Sequence, residues 1–422
     1  MSRGVARALA ALPALLLCLQ AVALGALAPQ ATPPPTPVPP HGSPSPFLDE
    51  LDTPADASIV PRVEAHSVLL IDRTAGQVLV QRGIHDAVPI ASLTKVMTAL
   101  LVLEREGGHL DRVVRVDPDA VFGRRDFGAS STLGLSAGEG LSVRGLLGGL
   151  LLGSANDAAE ALAIEEAGSV GAFVEAMNVR ARKLGMRDSS FASPHGLDDR
   201  GRSSAADLAT LLDAALEQPA FRQLVARRSV TIRSTVVRRR TIQNRNVMLW
   251  LYPGATGVKT GFTTGAGACL IATARRDGRE LAVIVLGGRD EVFSDAAALL
   301  NHGFVAYEAR TLVEQGEPLG SLVVRGGTVP VVAAEDLVGL LREGDDAAVE
   351  RTIAASPGAA YPPPAGSVIG TIRLRGPTGA LGRVPVLAAD VAPPIAPPAP
   401  WWARAARAFA RAVTAAVDGL FG

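Results

Sequence analysis

The chain has 422 residues, 48% of them hydrophobic, enough for two domains with a substantial core and additional segments. Its 41 basic and 41 acidic residues leave no net charge, which excludes the electrostatic footprint of a nucleic-acid-binding protein. Six scattered histidines, with no H-x-x-x-H or Cys/His spacing, argue against a metal site, and no cofactor motif is present.

Residues 1–28 read as a secretory signal: Arg3 and Arg7, an apolar run from Ala8 to Leu24, and a small-x-small site at Ala26-Leu-Ala28. This directs the protein across the cytoplasmic membrane. Pro29 disfavours cleavage directly before it, so processing after Gly25 and retention as an anchor are the alternatives. Cys18 lies in the signal and Cys269 beyond it, so no disulfide is expected in the mature chain. Residues 29–57 are Pro-rich without an apolar period and read as an extended tether.

The first folded unit is assigned to residues 58–312. His66–Ile71 and Gln77–Gln81 flank Asp72-Arg-Thr-Ala-Gly76 as a β-hairpin. Ser92 to Glu106 reads as a helix, with Leu93, Val96, Leu100 and Leu103 as its apolar stripe and Gly107-Gly108 as its stop. Further helices are expected at Val143–Leu152, Asp157–Glu166, Val170–Leu184 and Ala205–Leu216. Val258-Lys-Thr lies on a strand ahead of a second hairpin, Cys269–Ala274 and Glu280–Leu286, and a last helix is expected over Glu291–Ala309. Strands at both ends of a helical middle make this an α+β arrangement, one antiparallel sheet with helices on its faces. Residues 313–392 turn to short β-type runs separated by Gly and Pro, a small all-β domain with no titratable cluster, read as a spacer. Residues 393–422 are a Pro-rich spacer and an amphipathic helix: Trp402, Phe409, Val413, Val417 and Leu420 share one face, opposite Arg404, Arg407 and Arg411. Three mid-helix arginines argue for lying on a membrane surface rather than spanning it.

Lysine use carries the chemistry. The chain has three lysines against 38 arginines, and two of the three fall in Ser92-Leu-Thr-Lys95 and Lys259-Thr-Gly261. A guanidinium never deprotonates in a protein, whereas a buried amine does, so lysine is kept where a base is useful. Between them stands Ser154-Ala-Asn156, giving the order S-x-x-K, S-x-N, K-T-G. Lys183, the third, belongs to a basic helix face.

This constellation resembles the penicilloyl serine transferases and, within them, the D-alanyl-D-alanine carboxypeptidases, the low-molecular-mass penicillin-binding proteins. Leu249 to Leu270, Asn244-Arg-Asn246 and Phe191-Ala-Ser-Pro-His-Gly-Leu197 carry the likeness further, from about Val60 to the C-terminus. Arg202 is a departure, standing where the resemblance leads one to expect His. The resemblance implies a β-lactamase/transpeptidase-like catalytic fold and a serine peptidase acting on peptidoglycan stem peptides, acylated by β-lactams and needing no cofactor. It implies Ser92 as nucleophile, Lys95 as base, Ser154 as proton relay and Asn156 as binder of the substrate amide. Lys259 would supply positive charge, and an oxyanion hole would form from the backbone N–H groups of Ser92 and of Phe262, which follows Gly261. Thr260 and Arg289 would receive the terminal carboxylate. For Lys95 to act at neutral pH, burial and a neighbouring cation must bring its pKa down from about 10.4 to about 7.

Two alternatives stand beside this reading. A serine β-lactamase would carry a deacylating Glu in an E-x-x-L-N loop and an S-D-N motif, and neither is present. A non-catalytic penicillin-binding sensor or wall-attachment protein has no need of the intact set Ser92, Lys95, Ser154, Asn156 and Lys259.

Overall fold

The computed structural model describes residues 60–122, 131–289, 291–359, 363–364 and 366–389. The signal, the Pro-rich tether and the C-terminal segment Trp401–Gly422 lie outside the described residues. Among the described residues no helix is long and apolar enough to cross a membrane.

The first hairpin forms as expected, from β1 (Ser67–Asp72) and β2 (Gln77–Arg82). Then come α1 (Lys95–Glu106), α2 (Val143–Leu152), α3 (Asn156–Ala167), α4 (Val170–Leu184), α5 (Ala205–Glu217) and α6 (Pro219–Val225). A small hairpin, β3 (Ser229–Ile232) with β4 (Arg240–Gln243), precedes three long strands, β5 (Ala255–Thr263), β6 (Gly267–Arg276) and β7 (Arg279–Gly288). The main sheet is antiparallel in the order β2-β1-β7-β6-β5, so β5 is an edge strand. Side chains alternate across it. Ile271 and Ile284 join the helix-side core built by α1 to α6, whereas Leu270 and Val283 pack beneath α7 (Val292–Val305).

Helix boundaries follow local chemistry. Ser142, Ser169 and Ser204 accept the first-turn N–H groups of α2, α4 and α5, and Gly107, Gly168 and Gly185 close α1, α3 and α4 in the left-handed conformation.

Two expectations are corrected. Ser92 lies on a 3-10 turn, Ala91–Thr94, ahead of α1 rather than in its first α-turn. Side chains at i and i+3 eclipse in a 3-10 turn, which stacks Lys95 over Ser92 more directly than an α-helix would. The last helix stops at Val305 instead of running to Ala309, because Glu308–Val313 pairs as a strand, β8, with Leu337–Leu341. A partner strand in space overrides helical periodicity read along the chain.

The strand-rich part therefore begins at Glu308, within the stretch expected to complete the first unit. Its other strands are β9 (Pro318–Val324), β10 (Gly327–Ala333), β11 (Leu337–Leu341), β12 (Glu350–Ala355), β13 (Val368–Gly376) and β14 (Gly379–Ala388). A second five-stranded sheet runs β9-β10-β14-β13-β12 over its own core of Val329, Ile372 and Val386. The strand-rich part meets the main sheet at β2: the Gln77 amide exchanges hydrogen bonds with the backbone of Leu340 on β11 at 2.6 and 2.8 Å, and Thr378 Oγ1, in the turn between β13 and β14, donates to the Val78 carbonyl at 2.8 Å. These contacts cover the far edge of the main sheet and leave β5 open.

Candidate active site

Three segments converge beside β5. Lys259 pairs with Ile271 and so points to the helix side of the sheet, while Gly261, two residues on, faces the turn that carries Ser92. A Cβ at Gly261 would lie 3.0 Å from the Ser92 backbone nitrogen, so only glycine lets the strand come this close. On the other side of that turn, Gly196 has φ +79°, and a Cβ there would lie 1.9 Å from the Ala91 carbonyl oxygen. The Ser92 turn is thus wedged between two glycines.

Three described non-glycine residues have positive φ, and two of them are here: Ala91 at 47°, just before Ser92, and Ser154 at 61°. Each such residue costs about 1–3 kcal/mol and persists only where its surroundings hold it. The Ser154 loop is held by Ala155 N–H to Gly149 O at 3.1 Å and Asn156 N–H to Ser131 O at 2.7 Å. Asp157, at the start of α3, accepts from the backbone of Leu133, Leu135 and Ala158.

Lys95 is completely buried, and its Nζ has three oxygen neighbours: Ser92 Oγ at 2.9 Å, Asn156 Oδ1 at 2.7 Å and the His195 carbonyl at 2.7 Å. Burial holds its pKa well below the usual lysine range, helped by the charges of Lys259 and Arg245 and opposed by Asp157. A neutral amine has two N–H donors and one lone pair. With Asn156 Oδ1 and the His195 carbonyl taking the donors, the lone pair is left for the Ser92 hydroxyl. Lys259 is equally buried, 3.1 Å from Ser154 Oγ and 2.7 Å from the Thr260 carbonyl, and burial followed by Arg245 lowers its pKa to about 7. The arrangement can remove a proton from Ser92, and can hold a second proton at Ser154 and Lys259 on the opposite wall.

The remaining expected residues divide. Thr260 and Gly261 continue β5 past Lys259, and Phe262 stands at the open edge with 69% of its surface exposed. Arg289 follows β7 with its side chain 82% exposed, and its ion-pair partner is Glu64 at 3.5 Å. Arg202 pairs with Pro89 across a short ladder and donates to the Ala87 carbonyl at 3.2 Å, so its role here is in the backbone framework.

Sequence reasoning missed two contributors. His195, within the Phe191–Leu197 stretch, presents its carbonyl to Lys95. Its ring is fixed because Nδ1 accepts from Leu197 N–H at 3.1 Å, which leaves Nε2 to donate to Glu160 at 3.2 Å. Arg245, the centre of Asn244-Arg-Asn246, is the cation that both lysines feel. Asn244 secures that loop to the carbonyls of Val225 and Arg227, and Asn246 accepts from Met248 N–H. The signal was present in the triplet, two short amides around one arginine. Among the described residues, no group of three or more His, Cys, Asp or Glu side chains could hold a metal ion.

A family model described as D-alanyl-D-alanine carboxypeptidase matches residues 54–290, more than half of the chain. The chain belongs to the D-alanyl-D-alanine carboxypeptidase family. Among curated relatives it is 29% identical over 338 residues to D-alanyl-D-alanine carboxypeptidase DacF of Bacillus subtilis, covering 78% of this chain and 85% of that protein. It is 38% identical over 273 residues to DacD of Escherichia coli, covering 62% of this chain and 68% of that protein. Among solved structures, penicillin-binding protein 6B from Escherichia coli superposes with a TM-score of 0.59 at 31% identity, over 78% of this chain and 96% of that one. The match extends through the strand-rich part and so covers both the site and its support.

Proposed function

We propose that this family member is a serine D,D-carboxypeptidase that removes the terminal D-alanine from peptidoglycan stem pentapeptides and is acylated by β-lactams. The observation that carries this reading is the buried Lys95 amine 2.9 Å from Ser92 Oγ with its two donors already engaged. Ser92 attacks the penultimate D-alanine carbonyl, Lys95 takes its proton, and the backbone N–H groups of Ser92 and Phe262 stabilise the oxyanion. Ser154, 3.1 Å from Lys259 Nζ, returns a proton to the leaving amine. Asn156 binds the substrate amide, and Thr260 and Arg289 receive the terminal carboxylate. Water then hydrolyses the acyl-enzyme. The full-length protein should release D-alanine from a diacyl-Lys-D-Ala-D-Ala peptide and take up one fluorescent penicillin, and Ser92→Ala should abolish both. Labelling that survives the substitution, or penicillin turned over faster than peptide, would defeat the assignment.

The same reading places the protein outside the cytoplasmic membrane, delivered by residues 1–28 and held on the outer face by Trp401–Gly422. Its support is sequence pattern, an apolar stripe opposite arginines. Deleting Trp401–Gly422 should release the signal-cleaved protein from membranes with its peptidase activity unchanged. Full retention on membranes after the deletion would point to another anchor.

A further inference from the structure

From Gln218 to Arg276 the chain contains no Asp or Glu, yet eight arginines fall between Phe221 and Asn246. In a chain of balanced charge this is strong segregation. The structure gathers these arginines on the β3–β4 hairpin and its flanks. Ile232 is in the helix-side core, with Val230 and Ile242 packed against it, so the hairpin's apolar side is committed to α2. Arg240 pairs with the buried Glu139, and Arg228 donates to the Leu249 carbonyl at 2.9 Å. Arg227, Arg233, Arg238, Arg239 and Arg245 are exposed, and none has an acidic partner among the described residues. The set reaches the catalytic cleft at Arg245, whose backbone N–H donates to the Leu152 carbonyl at 3.1 Å, two residues before Ser154.

From this geometry we infer that the exposed arginines at the turn and the base of the β3–β4 hairpin form a docking surface for a carboxylate-bearing peptidoglycan strand, the polymeric form of the substrate. The inference rests on the carboxypeptidase reading and adds to it how the polymer, as distinct from its D-Ala-D-Ala end, is held. A guanidinium pairs with a carboxylate through two parallel hydrogen bonds, and clustered exposed cations with no acidic partner steer an anionic chain toward them. A lipid surface fits less well. The turn joining β3 to β4 exposes Val236 but no aromatic or long aliphatic side chain that would enter a bilayer interface.

The test uses the full-length protein and an Arg233→Gln/Arg238→Gln/Arg239→Gln variant on two substrates, with D-alanine release as the readout. On a diacyl-Lys-D-Ala-D-Ala peptide, which carries only its terminal carboxylate, the variant should stay within about twofold of wild type. On purified peptidoglycan strands at low salt its kcat/KM should fall about tenfold, and raising the salt to about 0.5 M should erase the wild-type advantage. Equal effects on the two substrates, or none on either, would overturn the proposal. So would unchanged strand hydrolysis with loss of binding to anionic phospholipid vesicles, which would assign the arginines to a membrane. If wild type were inert on the diacyl peptide, the carboxypeptidase reading itself would have failed. Cosedimentation of the Ser92→Ala protein with insoluble peptidoglycan, with and without the three arginines, measures docking in either case: retention that depends on them supports the docking surface, and retention indifferent to them refutes it.

Discussion

Lys95→Arg is expected to lower the second-order rate of acylation by penicillin, and the rate of D-alanine release, by about a thousandfold, in line with what positioned general bases contribute. The substitution keeps the hydrogen-bond donors and removes the lone pair, so it separates donor capacity from basicity. In the native site Asn156 Oδ1 and the His195 carbonyl occupy two donors of Lys95, and the third position faces Ser92 Oγ at 2.9 Å. A lysine there can be neutral, because burial and the nearby charges of Lys259 and Arg245 hold its pKa well below the usual range. A guanidinium in the same place stays protonated, has no lone pair to offer and is too large for three oxygen neighbours at such distances. Stopped-flow acylation with a fluorescent penicillin measures the effect. Lys183→Arg, on the exposed end of α4, is the matched control and should change nothing. A Lys95→Arg protein within tenfold of wild type would rule out Lys95 as the base.

How much of this was legible beforehand depends on which interactions are local. The helices at Val143–Leu152 and Val170–Leu184 were readable to the residue, because a serine N-cap and a helix-breaking end enclose an uninterrupted apolar period. The β6–β7 hairpin was readable because Asp277-Gly278 supplies two consecutive positive-φ residues, the geometry of a tight hairpin turn. The lysine motifs were legible through scarcity, since arginine had taken nearly every other basic position. What failed depended on pairing across space. Nothing within Glu308–Val313 announces that Leu337–Leu341 will sit beside it, and periodicity alone carried the preceding helix too far. Arg245 was overlooked for the same reason. Its backbone is tied to Leu152, and that contact exists only once the β3–β4 hairpin has folded onto α2.

Lys259→Met is expected to make the protein inactive, with a stability difference from wild type that depends on pH in a defined direction. The folded pKa of Lys259 is about 7 against 10.5 for a free lysine. Between those values the unfolded chain holds a proton that the folded chain does not, so unfolding takes up a proton and wild-type stability rises with pH through this window. Below pH 7 the full penalty applies, on the order of 5 kcal/mol from the pKa difference at about 1.4 kcal/mol per pH unit. Methionine removes the penalty but leaves Ser154 Oγ and the Thr260 carbonyl without their amine, a loss of about 1–3 kcal/mol for each unsatisfied group. The absolute difference at pH 7 is therefore the smaller remainder of two opposing effects, and its pH dependence is the cleaner measure. Urea unfolding of both proteins at pH 7, 8 and 9 should show the variant's stability relative to wild type falling by about 1.4 kcal/mol per unit. Taking the difference between the two proteins cancels Cys269, whose buried thiol, pushed up to about 11, lowers stability as pH rises beyond its ordinary value of 9. It also cancels most of the contribution of Lys95, which has the same sign as that of Lys259. A difference that stays constant from pH 7 to 9 would show that Lys259 is an ordinary cation in the fold. Its charge would then be permanent, and the proton held between Ser154 and Lys259 could not pass to the leaving amine.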